Sequence, residues 1–205
     1  WDWIEELAEG LILLSGAQAG PVGQALVQGN AAQAGDWALR LAEVFPHRFY
    51  LELQRAGRPD DEAHVAAAVQ LAARLPLPVV ATHPVQFATP DDYEAHEARV
   101  CIAQGEILGN ARRVRRFTGE QYFKSAAEMQ QLFADVPAAL ANTAEIARRC
   151  SLTLVLGKPQ LPDFPVPAGH TIESYFRQAS LEGLEQRLGP LYPDLPKRDA
   201  ERPRY

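Results

Sequence analysis

The chain is short of several things, and each shortage removes a class of protein. It has one methionine, Met129, and opens instead on Trp1-Asp2-Trp3-Ile4-Glu5-Glu6. An acidic start without a basic segment leading into an apolar one is not a secretory signal. A chain of this kind reads as an internal segment of a longer one. No apolar run approaches the roughly 18 to 20 residues of a membrane-spanning helix, so no membrane role is expected. Cysteine is limited to Cys101 and Cys150, far apart and in no Cys-x-x-Cys pair. That excludes a disulfide framework and predicts two buried thiols in a cytosolic protein. There is no glycine-rich phosphate loop, no Gly-x-Ser-x-Gly elbow and no His-Glu-x-x-His helix. Basic residues are scarce in the first half, where residues 1–100 carry 14 acids against 6 bases. Phosphate contacts need Lys and Arg, so that half is no nucleic-acid surface.

What remains is a globular composition, 47% apolar over 205 residues, sufficient for one domain and part of another. Gly10 to Gly16 encloses a continuous apolar run, as in a strand buried on both faces. Helices are predicted over Pro21–Gln28 and Ala31–Val44, the second with Trp37, Leu41 and Val44 on one face. His47–Gln54 reads as a strand, and Asp61–Leu75 as a helix with Val65, Ala68, Val69 and Ala72 inward. A strand follows over residues 77–82, then a helix opened by Thr89 and Pro90 and running to Gln104. Strands alternating with helices of this length predict an α/β fold with a mainly parallel sheet. Beyond it, Gly105–Phe117 is a loop. Thr118–Gln121 and Ser125–Glu128 both fit a capping box and predict two short helices. Pro137 opens a helix to Cys150. Leu152–Leu156 reads as a last strand. Four prolines between Pro159 and Gly169 predict a linker, and Thr171–Leu188 an amphipathic helix with Ile172, Tyr175, Phe176, Ala179, Leu184 and Leu188 on or near one stripe, before a proline-rich charged tail.

Candidate chemistry gathers at strand ends. Glu52 shares a strand face with Tyr50 and Gln54, and an acid there is either a pocket residue or paired with Arg55 or Arg58. His83 and His96, with Asp91, Asp92 and Glu97 nearby, invite a metal reading that their spacing does not support. His96 fits a capping or core-rim position better. Arg112, Arg113, Arg115 and Arg116 form the single basic run, able to grip phosphate or an acidic partner, or simply to be solvated.

Several stretches carry a resemblance: Phe49–Arg55, Leu77–Thr82, Asp92–Glu97, Leu132–Thr143, Ile146–Cys150, Leu161–Pro165 and Glu182–Leu188. Together they resemble the bacterial replicative DNA polymerase III α-subunit family over nearly the whole chain. The resemblance implies that residues 1–158 are the later part of an N-terminal PHP (polymerase and histidinol phosphatase) domain, a distorted barrel of parallel strands and helices. It implies a linker over 159–170 and the first helix of a polymerase palm over 171–205. Active PHP domains hold several metals and close their last strand with an Asp-x-His pair, which here aligns with Pro84 and Gln86. Proline offers no ligand, an amide is a poor substitute for imidazole, and His83 lies on the other side of the strand period. Glu52, His83, Pro84 and Gln86 are therefore the expected remains of a metal pocket that binds no metal. The family's His-x-His motif is expected upstream of Trp1, and the catalytic aspartates that hold Mg²⁺ downstream of Tyr205. The implied protein is a cytoplasmic DNA polymerase whose partners are a proofreading exonuclease subunit, other replisome subunits and DNA. A metal-dependent phosphoesterase of the same barrel type, or a pure interaction module, are the alternatives. With early strands absent, the isolated chain is expected to self-associate through uncovered edges.

Overall fold

The computed structural model of the chain describes residues 2–159 and 162–205. Gln160 and Leu161 of the predicted linker, and Trp1, lie outside the described residues. The chain divides into two compact units, Trp1–Leu152 and Thr153–Tyr205.

The first unit begins with the short helix α1 (Asp2–Glu6) and strand β1 (Leu13–Leu14). A 3₁₀ turn (Ala17–Ala19) then leads into α2 (Pro21–Val27), with Pro21 in its first turn. Gly29, at φ +76°, turns the chain, and Asn30 caps α3 (Ala31–Val44) by accepting the Gln33 N–H at 3.1 Å. Strand β2 (Phe49–Gln54), helix α4 (Asp61–Arg74) and strand β3 (Val79–Thr82) follow. The three strands pair in parallel in the order β1-β2-β3, with Leu14 opposite Tyr50, Glu52 opposite Val80 and Gln54 opposite Thr82. The first five residues of β2 are buried, because the middle strand of a parallel sheet is covered on both faces. The α/β architecture with a parallel sheet is thus the one its alternating pattern predicts.

Helix α3 buries Ala34, Ala38 and Leu41 in a stripe that its C-cap Phe45 continues, leaving Trp37 and Val44 half-buried at its flanks. Small alanines let the helix approach closely and shift the inward face one position from the one the large residues mark. α4 buries Val65, Ala68, Leu71 and Ala72, with Val69 half-buried. Helix α5 (Tyr93–Gln104) follows a 3₁₀ turn over Pro90–Asp92, where Thr89 and Asp92 form a reciprocal cap. It ends at Gly105, whose φ of +68° suits the left-handed C-cap, and the Glu106 N–H reaches back to the Cys101 carbonyl at 2.9 Å.

Helices α6 (Ala126–Leu132) and α7 (Pro137–Arg149) complete the unit. The Ser125–Glu128 capping box forms as expected. Helix α7 covers β3: Asn142 Nδ2 donates to the Val79 carbonyl at 2.8 Å and Thr143 Oγ1 to the Ala81 carbonyl at 2.6 Å. Side chains thus occupy carbonyls that an open sheet edge would present for further pairing.

Two predicted elements are not there. Thr118–Gln121 forms a turn and no helix. Gln121 does return its side-chain oxygen to the Thr118 N–H at 3.0 Å, but the Thr118 hydroxyl is drawn away to the Ala56 carbonyl, so half the capping box is missing. Leu152–Leu156 is an exposed, irregular segment with no strand partner among the described residues. The predicted second buried thiol is also wrong: Cys101 is buried and Cys150 is exposed beyond the end of α7.

In the second unit, Thr171 caps α8 (Ile172–Leu191), which is followed by α9 (Leu195–Glu201) and a 3₁₀ turn (Arg202–Arg204). Pro196 lies in the first turn of α9 and Asp194 caps it, so the charged tail is helical and not irregular. Of the predicted α8 stripe, Leu188 is buried, while Ile172 and Phe176 are exposed.

Candidate functional site

Ligands of open parallel sheets bind beyond the carboxyl ends of the strands. Here those ends bring together Ser15 and Gly16 after β1, Glu52 and Gln54 on β2, and Thr82 at the end of β3. The turn after β1 needs glycine. Gly16 has φ +78°, and a Cβ on Gly20 would sit 1.7 Å from the Ser15 carbonyl oxygen. This tight return aims the Gly16 N–H at Glu52 Oε2, 3.1 Å away, while Ser15 Oγ accepts the Glu52 N–H at 2.9 Å.

The other Glu52 oxygen is equally occupied. Thr82 Oγ1 donates to Oε1 at 2.5 Å and Gln54 Nε2 at 3.1 Å, with Gln54 Nε2 also 3.0 Å from Thr82 Oγ1. The buried acid is therefore held by a backbone amide, a hydroxyl and an amide. The expected pairing with Arg55 or Arg58 does not occur, because both arginines have closer acids: Arg55 pairs with Glu62 and Asp135, Arg58 with Asp61.

Arg58 extends the array. It donates from Nη2 to Gln54 Oε1 and from Nε to Asp61 Oδ1, both at 3.0 Å. Asp61, buried at the start of α4, also accepts from Gln18 Nε2 at 2.8 Å, the Ala56 N–H at 2.6 Å and the Arg58 N–H at 3.0 Å. His64 is buried one turn further along α4, with Nδ1 unpartnered among the described residues.

His83, Pro84 and Gln86 leave β3 in a different direction. The His83 Nε2 lies 2.8 Å from the Glu120 carbonyl, the Gln121 side chain donates to the Pro84 carbonyl at 3.1 Å, and the Gln86 N–H donates to the Gln121 carbonyl at 2.8 Å. Phe87 then pairs with Tyr122 in a single parallel bridge. The segment is strapped along residues 120–122, and no hydrogen bond among the described residues joins it to Glu52. His96 is buried, packed against Phe87 and edge-on to Phe117 at 4.7 Å, with Nδ1 3.1 Å from Arg99.

The donor set does not fit a metal centre. Every carboxyl oxygen of Glu52 and Asp61 already accepts a hydrogen bond, Arg58 places a positive charge beside Asp61, Pro84 offers no ligand and Gln86 only an amide. Among the described residues, no group of three His, Cys, Asp or Glu is placed to hold an ion.

The arginine run divides. Arg113 is sealed against Glu97 at 2.5 Å, their side chains 3% and 4% exposed, and the contact holds its guanidinium still more firmly charged. It is therefore not free to grip phosphate. Arg112, Arg115 and Arg116 are exposed.

Sequence reasoning missed Ser15, Gln18, Asp61 and His64. Strand register alone brings the first to Glu52, and the acid at the start of α4 reads as a helix-terminal charge until its four donors are seen.

Burial pushes His64, His83 and His96 down from the usual imidazole value of 6.5, against smaller upward contributions from Asp61, the Glu120 carbonyl and Glu97 respectively. In each case the unfolded chain binds the proton more readily. Stability is therefore complete above about pH 6.5 and falls as pH drops below it toward the folded-state values. The urea midpoint is expected to be lower at pH 5.5 than at 7.5, and His64→Gln should shrink the difference. An equal or higher midpoint at pH 5.5 would contradict this.

Sequence comparisons bear on the chain as a whole. The PHP domain pattern matches residues 1–56, from α1 through β2. The chain is 52% identical over 205 residues to a DNA polymerase III subunit alpha of Pseudomonas aeruginosa, covering 100% of this chain and 18% of that protein. It is 48% identical over 204 residues to the subunit of the same name in Escherichia coli K12, with 100% and 18% covered, and 50% identical over 206 residues to that of Neisseria meningitidis serogroup A, with the same coverage. The chain thus spans about 18% of the length of the curated relatives it matches. With identity near one half along its whole length and a PHP pattern at its start, the chain is similar throughout to a segment of bacterial DNA polymerase III alpha subunits.

Proposed function

We propose that this segment is the scaffold part of a DNA-directed DNA polymerase, and that its PHP pocket no longer performs metal chemistry. The observation that carries the reading is the alignment of the entire chain with DNA polymerase III alpha subunits. In this reading residues 1–158 are the later part of the PHP domain, 159–170 a linker and 171–205 the start of the palm. The polymerase reaction belongs to residues elsewhere in the parent. There a primer 3′-hydroxyl oxygen bonds to the α-phosphorus of the incoming nucleotide and pyrophosphate leaves, with Mg²⁺ supplying charge stabilisation. The setting is the cytoplasm, and the partners are DNA through other domains, replisome subunits and a proofreading exonuclease subunit docked on the PHP domain.

Glu52, His83, Pro84 and Gln86 are read as a vestigial pocket. The support is chemical: Glu52 is spent on Gly16, Gln54 and Thr82, and positions 84 and 86 carry neither carboxylate nor imidazole. Rigid strand ends cross-linked by hydrogen bonds suit a platform better than a catalytic centre.

The test uses full-length protein with bis-p-nitrophenyl phosphate or pyrophosphate and Mn²⁺ or Zn²⁺. No turnover above the metal alone is expected, together with primer extension in Mg²⁺. Robust hydrolysis abolished by Glu52→Ala would replace the scaffold with a phosphoesterase. Failure of primer extension by well-folded full-length protein would remove the polymerase assignment.

A further inference from the structure

Residues 105–117 have no regular secondary structure, yet they are firmly held. The Gly105 C-cap fixes one end and the Tyr93 hydroxyl donates to the Phe117 carbonyl at 3.1 Å at the other. In between, the Arg112 N–H closes a turn on Asn110 Oδ1 at 3.0 Å, and Arg113 is buried against Glu97. An irregular loop anchored by a buried ion pair is a presented surface more than a mobile connection.

What it presents is unusual for a solvated loop. Ile107 is 76% and Val114 74% exposed, and Ile102 in the last turn of α5 is 83% exposed. Arg112, Arg115 and Arg116 point outward, and no ion pair among the described residues engages them. A cleft of about 520 Å³ opens beside them, lined by Tyr93, Glu94, Glu97, Leu108, Arg113 and Arg115. Exposed aliphatic side chains rimmed by charge mark interaction sites. Arginine without lysine is the basic composition of protein interfaces, and residues 105–117 hold four arginines and no lysine.

We propose that residues 102–116 form a docking surface for an acidic, apolar segment of another protein. Its carboxylates would pair with Arg112, Arg115 and Arg116, and its aliphatic side chains would cover Ile107 and Val114. Nucleic acid fits less well, for two reasons. A phosphodiester backbone leaves the aliphatic side chains in water. A long polyanion tracking beyond the loop meets a body with 14 acids against 6 bases in residues 1–100, whereas a short peptide need not extend past the arginines. This surface is separate from the strand-end array, and its test does not depend on whether that array is a scaffold.

The experiment measures binding of three fluorescein-labelled probes to the full-length chain by anisotropy: a repeating Glu-Glu-Leu-Leu peptide, a repeating Glu-Glu-Ser-Ser peptide, and oligothymidylate. The leucine peptide is expected to bind more tightly than the serine peptide. Its affinity should fall roughly tenfold or more in Arg115→Glu/Arg116→Glu and in Ile107→Ser/Val114→Ser, the loss typical of interface hot spots. Both variants change exposed side chains and should melt at the wild-type temperature, which separates lost docking from lost fold. Absence of leucine-peptide binding, equal affinity for the two peptides, or oligothymidylate binding as the property lost in the arginine variant would each overturn the proposal.

Discussion

Phe133→Ala is expected to lower the stability of the chain by about 3–5 kcal/mol, the range for removing a fully buried ring. Phe133 caps the C-terminus of α6 and is completely buried against Leu53 of β2, Val65 and Ala68 of α4, Ala81 of β3 and Ala139 of α7. It is the aromatic ring of a cluster otherwise built of alanines, valines, leucines and Met129, none of which matches its volume. The Arg55 guanidinium lies 5.1 Å from the ring centroid. It also donates to the Leu132 carbonyl at 2.7 Å and to both Asp135 oxygens at 2.6 and 2.8 Å, and this contact holds the Asp135 carboxyl below its usual value. Phe133→Leu should cost only about 1 kcal/mol, because much of the volume is kept. Phe123→Ala, at an exposed position, should stay within about 0.5 kcal/mol. Urea denaturation of the three variants checks the order. If Phe133→Ala unfolds at the wild-type midpoint, α6 and α7 do not share the sheet's core.

The contrast between Phe133 and Phe123 shows where the sequence was legible. Elements made by local rules were readable: Asn30 and Ser125 cap as their types demand, and Pro21 and Pro137 open helices. The glycine-bounded apolar run is a strand only over Leu13–Leu14, half-buried instead of buried on both faces, with Leu11 exposed. The parallel α/β class followed from the alternation of strands and helices. What could not be read was decided by partners distant in sequence. Thr118 has a capping-box spacing, yet Ala56, a residue 62 positions away, takes its hydroxyl. Leu152–Leu156 has strand composition, but composition does not supply a neighbouring strand. Arg113 and Arg115 look alike in sequence, and burial of one against Glu97 separates them completely. The same limit applies to the candidate site. Glu52 stands out as an acid in an apolar strand, but its partners come from its own strand, the end of β3 and the turn after β1, which only the register reveals.

Glu52 gives the second large effect. Glu52→Ala is expected to cost about 3 kcal/mol, because three donors converge on one buried carboxyl group. The Gly16 N–H, Thr82 Oγ1 and Gln54 Nε2 all point inward, and Gly16 cannot turn away, since the tight return at Gly20 fixes its orientation. Glu52→Gln tests the origin of the loss. An amide of the same shape keeps the packing and one acceptor oxygen, but sets an NH₂ group against donors that need an acceptor. About 1–2 kcal/mol is expected for it, between wild type and alanine. A mere cavity effect would make glutamine nearly neutral. Removing a donor along with the acid gives a sharper discrimination. If Thr82 exists here to satisfy Glu52, then Thr82→Val should be costly alone but add little in the Glu52→Ala background, since its partner is already gone. A double-mutant cycle by urea denaturation measures this coupling. Strict additivity would mean that the strand ends are held by packing alone, and that the Glu52 array contributes no stability of its own.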